Sequence, residues 1–124
     1  MSKSFVKAKR KVNNQWVEGY LYCPWSRDGE GEKAFIVLPQ GNMKMCAVNK
    51  DTVCRATGEK DIDGIFIYER DVVCDMDGTK YTVVYVCGDE WHLMDENNRT
   101  DLLLRDKELK VIGNILDDAA VDKA

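Results

Sequence analysis

The side chains able to do chemistry form several groups, and each must satisfy a geometric demand before it can act. The densest group is acidic: Glu59, Asp61, Asp63, Glu69, Asp71, Asp75 and Asp77 crowd the middle of the chain. Asp61-Ile62-Asp63-Gly64 and Asp75-Met76-Asp77-Gly78 look superficially like the opening of a Ca²⁺ loop. Such a loop needs ligands at positions 1, 3 and 5, Gly at 6 and Glu at 12, and neither segment supplies them. Asp ahead of Gly is a turn-forming pair, which accounts for both segments without a metal. A paired-carboxylate hydrolase needs one carboxyl raised in pKa, and the sequence offers no reason for that at any of the seven. His92 is the only histidine. It could serve a Cys-His nucleophile only within hydrogen-bond reach of Cys87 or Cys74. Strand alternation in Trp91-His92-Leu93 instead sends it opposite Trp91 and Leu93, toward solvent.

The five cysteines, Cys23, Cys46, Cys54, Cys74 and Cys87, are odd in number and contain no close pair. Disulfide frameworks use even counts, and zinc sites use short C-x₂₋₄-C spacings. Cys54, Cys74 and Cys87 each follow a valine, a setting in which the thiol acts as a small hydrophobe. Free structural thiols are expected. No phosphate-cradling Gly loop, nucleophile elbow or dinucleotide fingerprint is present in the sequence. The expectation is therefore no catalytic residue, no cofactor, no metal and no enzyme.

A different chemistry is open to the aromatic residues. Trp16, Tyr20 and Tyr22 share one strand face and Trp25 follows, while Lys7, Lys9, Arg10 and Lys11 stand on the segment before. Rings rimmed by cations can stack bases, which makes those four cations candidate nucleic-acid-binding residues. The competing reading, which is favoured, puts Trp16 and Tyr20 in the core and the lysines on a solvated edge. An exposed Trp or Tyr serves a protein partner equally well.

These groups must be carried by short strands, because apolar runs alternate with Gly, Asn and Asp clusters along the chain. Segments 5–9 and 16–22 make a first hairpin, and 34–38 ends at Pro39 before a turn at 40–42 and a return along 43–48. Asp63-Gly64 and Asp77-Gly78 suit two-residue primed turns, between 60–62 and 66–68 and between 71–76 and 80–87. Residues 80–87 are apolar on both faces, as in a central strand. Glu90–Met94 follows, residues 100–105 suit a short helical turn capped by Thr100, and 108–116 alternate as a last strand. The predicted fold is mainly β, α+β at most: a small barrel-like, SH3-like antiparallel domain built from successive hairpins. Residues 1–124 are expected to form a single domain, with 117–124 a frayed acidic tail.

Composition narrows the partners. Of 124 residues, 22 are Asp or Glu and 18 Lys or Arg, a net charge of −4 that gives no global basic footprint. Residues 1–20 carry Lys3, Lys7, Lys9, Arg10 and Lys11 against Glu18, a local +4. No segment approaches the roughly 20 apolar residues of a membrane span. The N-terminus lacks the continuous apolar stretch of a signal peptide, so a cytoplasmic location and no membrane partner are expected.

Three stretches together resemble the YopX-like family of bacteriophage and prophage proteins. Trp16-Val17-Glu18-Gly19-Tyr20-Leu21 is similar to that family's W-V-x-G-Y-L strand. Asp51-Thr52-Val53, Thr57-Gly58, Asp61, Gly64, Ile67-Tyr68-Glu69 and Asp71-Val72-Val73 follow its most specific motif, and Val111-Ile112-Gly113-Asn114-Ile115 resembles its V-I-G-N-I ending. Two positions depart: Arg70 stands where the family has Gly, and Glu59 replaces Leu. The resemblance implies a compact β-rich, partly barrel-like domain encoded by mobile phage genomes, and it implies no activity. Trp16, Gly19, Thr57, Gly58, Gly64, Tyr68, Asp71, Gly113 and Asn114 are on this view structural motif residues, with Gly113 at a bulge or a close approach. The expected function is that of a phage accessory protein that binds protein, its own copies or a host factor. The alternative is a nucleic-acid module using the basic N-terminal hairpin.

Overall fold

The computed structural model describes residues 5–23, 34–38, 44–86, 90–100, 102–104 and 108–117. The expected turn at 40–42, Pro39, Trp25, Lys3, Cys87 and the acidic tail beyond Asp117 lie outside the described residues. Eleven strands occur among those described: β1 Phe5–Lys9, β2 Trp16–Tyr22, β3 Ala34–Val37, β4 Met45–Val48, β5 Cys54–Lys60, β6 Phe66–Tyr68, β7 Asp71–Cys74, β8 Lys80–Val86, β9 Glu90–Met94, β10 Leu102–Leu103 and β11 Lys110–Asn114. A 3₁₀ turn, Lys50–Thr52, is capped by Asn49, whose side chain accepts the Asp51 N–H, and residues 115–117 are helical, so the strand expected over 108–116 ends at Asn114. The protein is mainly β. The chain divides into two compact units, Met1–Ala56 and Thr57–Ala124.

In the first unit the strand order is β4-β3-β2-β1, with the start of β5 on the far side of β1. Alternation in this sheet is strict. Val6, Ala8, Ala34, Ile36 and Val48 form its buried core, with Val17 and Leu21 packed against them. The sheet curls until its ends meet: Arg10 bridges Val48, the Lys11 N–H donates to the Ala47 carbonyl at 3.1 Å, and the Asn49 N–H to the Lys9 carbonyl at 2.8 Å. Curling brings β3 so near β2 at Gly19 that a Cβ there would stand 2.4 Å from the Val37 carbonyl oxygen. Glycine at a tight bend of a closing sheet answers that need.

The second unit holds a five-stranded antiparallel sheet, β10-β9-β8-β7-β11. β8 is its central strand, as its two apolar faces require. Ile67, Val73, Tyr81, Val83, Leu93, Leu104 and Leu109 make its core. Residues 100–105 do not form the expected helical turn, since Leu102 and Leu103 pair with Leu93 and His92 as β10. A run of three leucines suits either state, and pairing with β9 decides it.

Three of the described hairpin turns of this unit are built alike. In each, an Asp N–H donates to the carbonyl four residues on, at Ile65, Thr79 or Arg99. One carboxylate oxygen of Asp61, Asp75 or Asp95 accepts the N–H groups two and four residues ahead, at 2.9–3.0 Å. The residue before the closing one, Gly64, Gly78 or Asn98, has φ of 81°, 85° and 63°. These are three-residue loops with a left-handed last position, in place of the two-residue primed turns expected from Asp-Gly. The difference arises because the anchoring carboxylate belongs to the earlier Asp, two residues before the Asp-Gly pair.

Candidate interaction surface

Opposite the first unit's core, the sheet presents a second face assembled by cross-strand register. Phe5 pairs with Tyr20, Tyr20 with Val37 and Val37 with Met45, one row across four strands. Tyr22, Phe35 and Ala47 form the next row. The Phe5 and Tyr20 rings meet edge to face at 5.3 Å, and those of Tyr22 and Phe35 lie 6.4 Å apart. Tyr22 is 48% and Met45 53% exposed, while Phe5, Tyr20, Phe35 and Val37 are half-buried. This run of apolar side chains makes the sheet face a candidate interaction surface.

Trp16 and Tyr20 both belong to this face and are half-buried, so the expectation that they lie in the core is corrected. β2 carries apolar groups on both sides, and it is Val17, Gly19 and Leu21 that turn toward Val6 and Ala8. The Lys7 ammonium lies 4.6 Å and that of Lys9 5.3 Å from the Trp16 ring centroid. Each cation over a ring contributes about 0.5–1 kcal/mol where exposed and more where desolvated. Lys9 is itself buried, and its N–H donates to the Thr52 hydroxyl at 2.8 Å. Arg10 stands at the next alternation, where it bridges β4, and Lys11 is exposed in the turn. The four candidate cations thus do not form one cluster: two cover a tryptophan and two lie elsewhere.

Phe5, Phe35, Val37 and Met45 were not among the sequence candidates. Their signal was period-2 alternation in β1 and β3, which becomes a surface only once the register is known. His92 departs from its expected place toward solvent. It is half-buried in a strand flanked on both sides, with Nδ1 on the Thr100 carbonyl and Nε2 3.3 Å from the Glu90 carboxylate. Cys74 stands on β7, separated from β9 by β8. Cys54 is buried, Cys46 and Cys74 are half-buried and Cys23 is exposed, all four as free thiols.

The motif residues of the second unit act as joints. Asp71 and Asn114 are both fully buried. Asp71 Oδ2 accepts the Tyr68 N–H at 2.8 Å, and its Oδ1 accepts the Asn114 amide at 2.9 Å. The Asn114 side-chain oxygen takes the Leu116 N–H at 3.0 Å. Arg70, between Tyr68 and Asp71, has φ of 70°, the left-handed region that favours glycine, at the position where the family pattern has Gly. Thr57 donates its hydroxyl to the Ile67 carbonyl at 2.8 Å, next to Gly58 at φ 89°. The β7–β11 register shifts between Val111 and Gly113, a bulge in which Ile112 is the extra residue.

Asp61 does more than close its turn, since its second oxygen accepts the Val111 N–H at 3.1 Å. Burial alone would raise its carboxyl. The N–H groups of Val111, Ile65 and Asp63 and the Lys110 charge outweigh that and hold it below the ordinary 3.8. With both oxygens engaged by backbone, Asp61 is a structural carboxylate. Among the described residues, no group of three or more His, Cys, Asp or Glu is placed to hold a metal, and no helix is long and apolar enough to cross a membrane.

The model of the YopX protein family matches residues 7–120, nearly the whole chain. The chain belongs to the YopX family. No curated protein matches it. The matched range takes in both the joints of the second unit and the aromatic positions Tyr20, Tyr22, Phe35, Val37 and Met45 of the first.

Proposed function

We propose that this YopX-family chain is a non-enzymatic phage or prophage accessory protein of the bacterial cytoplasm that acts by binding protein through the outer face of β1–β4. The observation that carries this reading is the row Phe5, Tyr20, Val37, Met45 beside Tyr22 and Phe35. Aromatic side chains half-sunk in a rigid sheet lose little conformational freedom on binding and anchor protein interfaces. The partner is a host factor or another copy of the chain. The nucleic-acid alternative rests on the positive charge of the first strands. It is weakened because Lys7 and Lys9 are committed to the Trp16 ring, which leaves fewer cations to face phosphate.

The test is affinity capture from bacterial cells carrying the protein, with and without nuclease, comparing wild type with a Tyr22→Glu, Met45→Glu double variant. A partner retained through nuclease and moderate salt, and lost with the double variant, supports the proposal. Capture identical in both proteins, or lost on nuclease treatment, overturns it.

A further inference from the structure

The seam where the first sheet closes on itself is zipped over only part of its length. β4 pairs with β3 from Val48 to Met45, and the Leu38 N–H continues the ladder to the Lys44 carbonyl at 2.9 Å. In an antiparallel pair only alternate residues exchange backbone bonds. Lys44, Cys46 and Val48 therefore bond to β3, while Met45 and Ala47 turn their N–H and C=O groups outward. The closing bonds agree, since on that outward side the Ala47 carbonyl accepts the Lys11 N–H and the Lys9 carbonyl the Asn49 N–H. At Lys11 the chain leaves the lane beside β4 and turns into β2. Beyond that point the Met45 N–H and C=O and the Ala47 N–H have no hydrogen-bond partner among the described residues, and both residues are exposed. Other outer strands are not open in this way: the Asp61 carboxylate takes the Val111 N–H on β11, and the Asp71 carboxylate takes the Tyr68 N–H on β6.

The two aromatic rows end at this same edge. Phe5, Tyr20 and Val37 lead to Met45, and Tyr22 and Phe35 lead to Ala47. A strand added beside β4 would lie about 4.8 Å away and carry two of its side chains, at i and i+2, in line with those rows. Ala47 contributes only a methyl group, so the side chain opposite it can be bulky and lean toward Phe35. We propose that the Met45–Ala47 edge takes an extended segment of the protein partner as an added antiparallel strand, in the lane that β1 leaves at Lys11, with apolar side chains at i and i+2 on the aromatic face. This rests on reading that face as a protein-binding surface. The occupant is an extended peptide because what the edge leaves unmade are main-chain bonds at strand spacing, and a helix has already spent its own. Backbone bonds to the edge supply affinity, and the rows select the side chains.

The test selects a library of random nine-residue peptides against the whole chain and takes the tightest member as probe. Selection is expected to return peptides with Kd below about 0.1 mM and apolar residues at i and i+2. With the probe at saturation, hydrogen exchange at the Met45 and Ala47 amides should slow at least tenfold. Only alternate residues of an added strand bond to β4, so N-methylating the probe one amide at a time should weaken binding at least tenfold at every second position of its core. Ala47→Pro removes one outward N–H and none of the bonds to β3, and should also weaken binding at least tenfold. Met45→Pro gives the same test should that variant fail to fold. A library that yields no binder overturns the proposal, as does a probe that leaves both amides unprotected, or an N-methyl scan without a period of two. A cellular partner lost with the Tyr22→Glu, Met45→Glu variant but kept by Ala47→Pro removes this inference and leaves the protein-binding reading standing. Capture unchanged in either variant removes both.

Discussion

Replacing Gly19 with alanine would put a methyl group 2.4 Å from the Val37 carbonyl oxygen and 2.6 Å from Cγ2 of Ile36. Both separations lie about 1 Å inside normal van der Waals approach. Ile36 is fully buried and the carbonyl is backbone, so neither can swing aside; β2 and β3 must part. Overpacking of this kind costs about 1–3 kcal/mol. Alanine returns about 0.4–1 kcal/mol by restricting the unfolded chain. With a backbone atom in the clash the cost falls at the upper end, leaving a net loss of about 2 kcal/mol. For a chain of this size that lowers Tm by roughly 6–10 °C. Gly113→Ala is the matched control, because a Cβ there meets nothing within 4 Å. It should change stability by less than about 0.5 kcal/mol. Urea unfolding followed by circular dichroism measures both, with the midpoint compared at equal m. A Gly19→Ala midpoint equal to wild type, or a Gly113→Ala loss as large as that of Gly19→Ala, would refute the reasoning.

Asn114→Ala should destabilise by about 2–3 kcal/mol, because it strips a hydrogen bond from the buried Asp71 carboxylate; a thermal shift under 2 °C would contradict this. The folded Asp61 pKa lies below its unfolded value, so its ionised form contributes stability above the unfolded pKa, and this is lost as pH falls through the folded one. Melting temperatures recorded from pH 5 to pH 2 should therefore fall less steeply for Asp61→Asn than for wild type, and parallel curves would show that Asp61 is not a source of the acid sensitivity. In fluorescence anisotropy, generic duplex or single-stranded DNA or RNA should show no binding at about 150 mM salt. Micromolar affinity there, abolished when Lys7, Lys9, Arg10 and Lys11 all become Ser, would favour the nucleic-acid alternative.

Alternation made β1 and β9 legible in the sequence, and a short apolar run ending at Pro39 made β3 legible; all three lie where expected. β5 was missed, and a strand at 60–62 was expected in its place. After Ala56 its residues are Thr, Gly, Glu and Lys, so the strand persists through pairing and the Thr57 hydroxyl, with little apolar side chain to announce it. β10 was hidden because its hairpin turns on Asn98, which takes the left-handed conformation without the Asp-Gly signature. The motif residues were recognisable, and they hold turns and joints together. The aromatic rows were only half legible. Tyr20 and Tyr22 stood out on one strand, but Phe35, Val37 and Met45 join them through pairings between residues 8 to 17 apart, which no local pattern encodes.

The Asp61 loop also determines how the second sheet can be approached. β11 is an outer strand, and outer strands expose unpaired backbone groups on which another chain can build. Here the Val111 N–H is held by the Asp61 carboxylate, and the Leu109 carbonyl accepts the Ile62 N–H at 2.9 Å. Ile112, the bulge residue, breaks the even spacing that an added strand would have to match. Strand-on-strand growth, whether by a partner's extended peptide or by aggregation, is blocked along this border. A molecule that recognises this side of the sheet must do so through side chains.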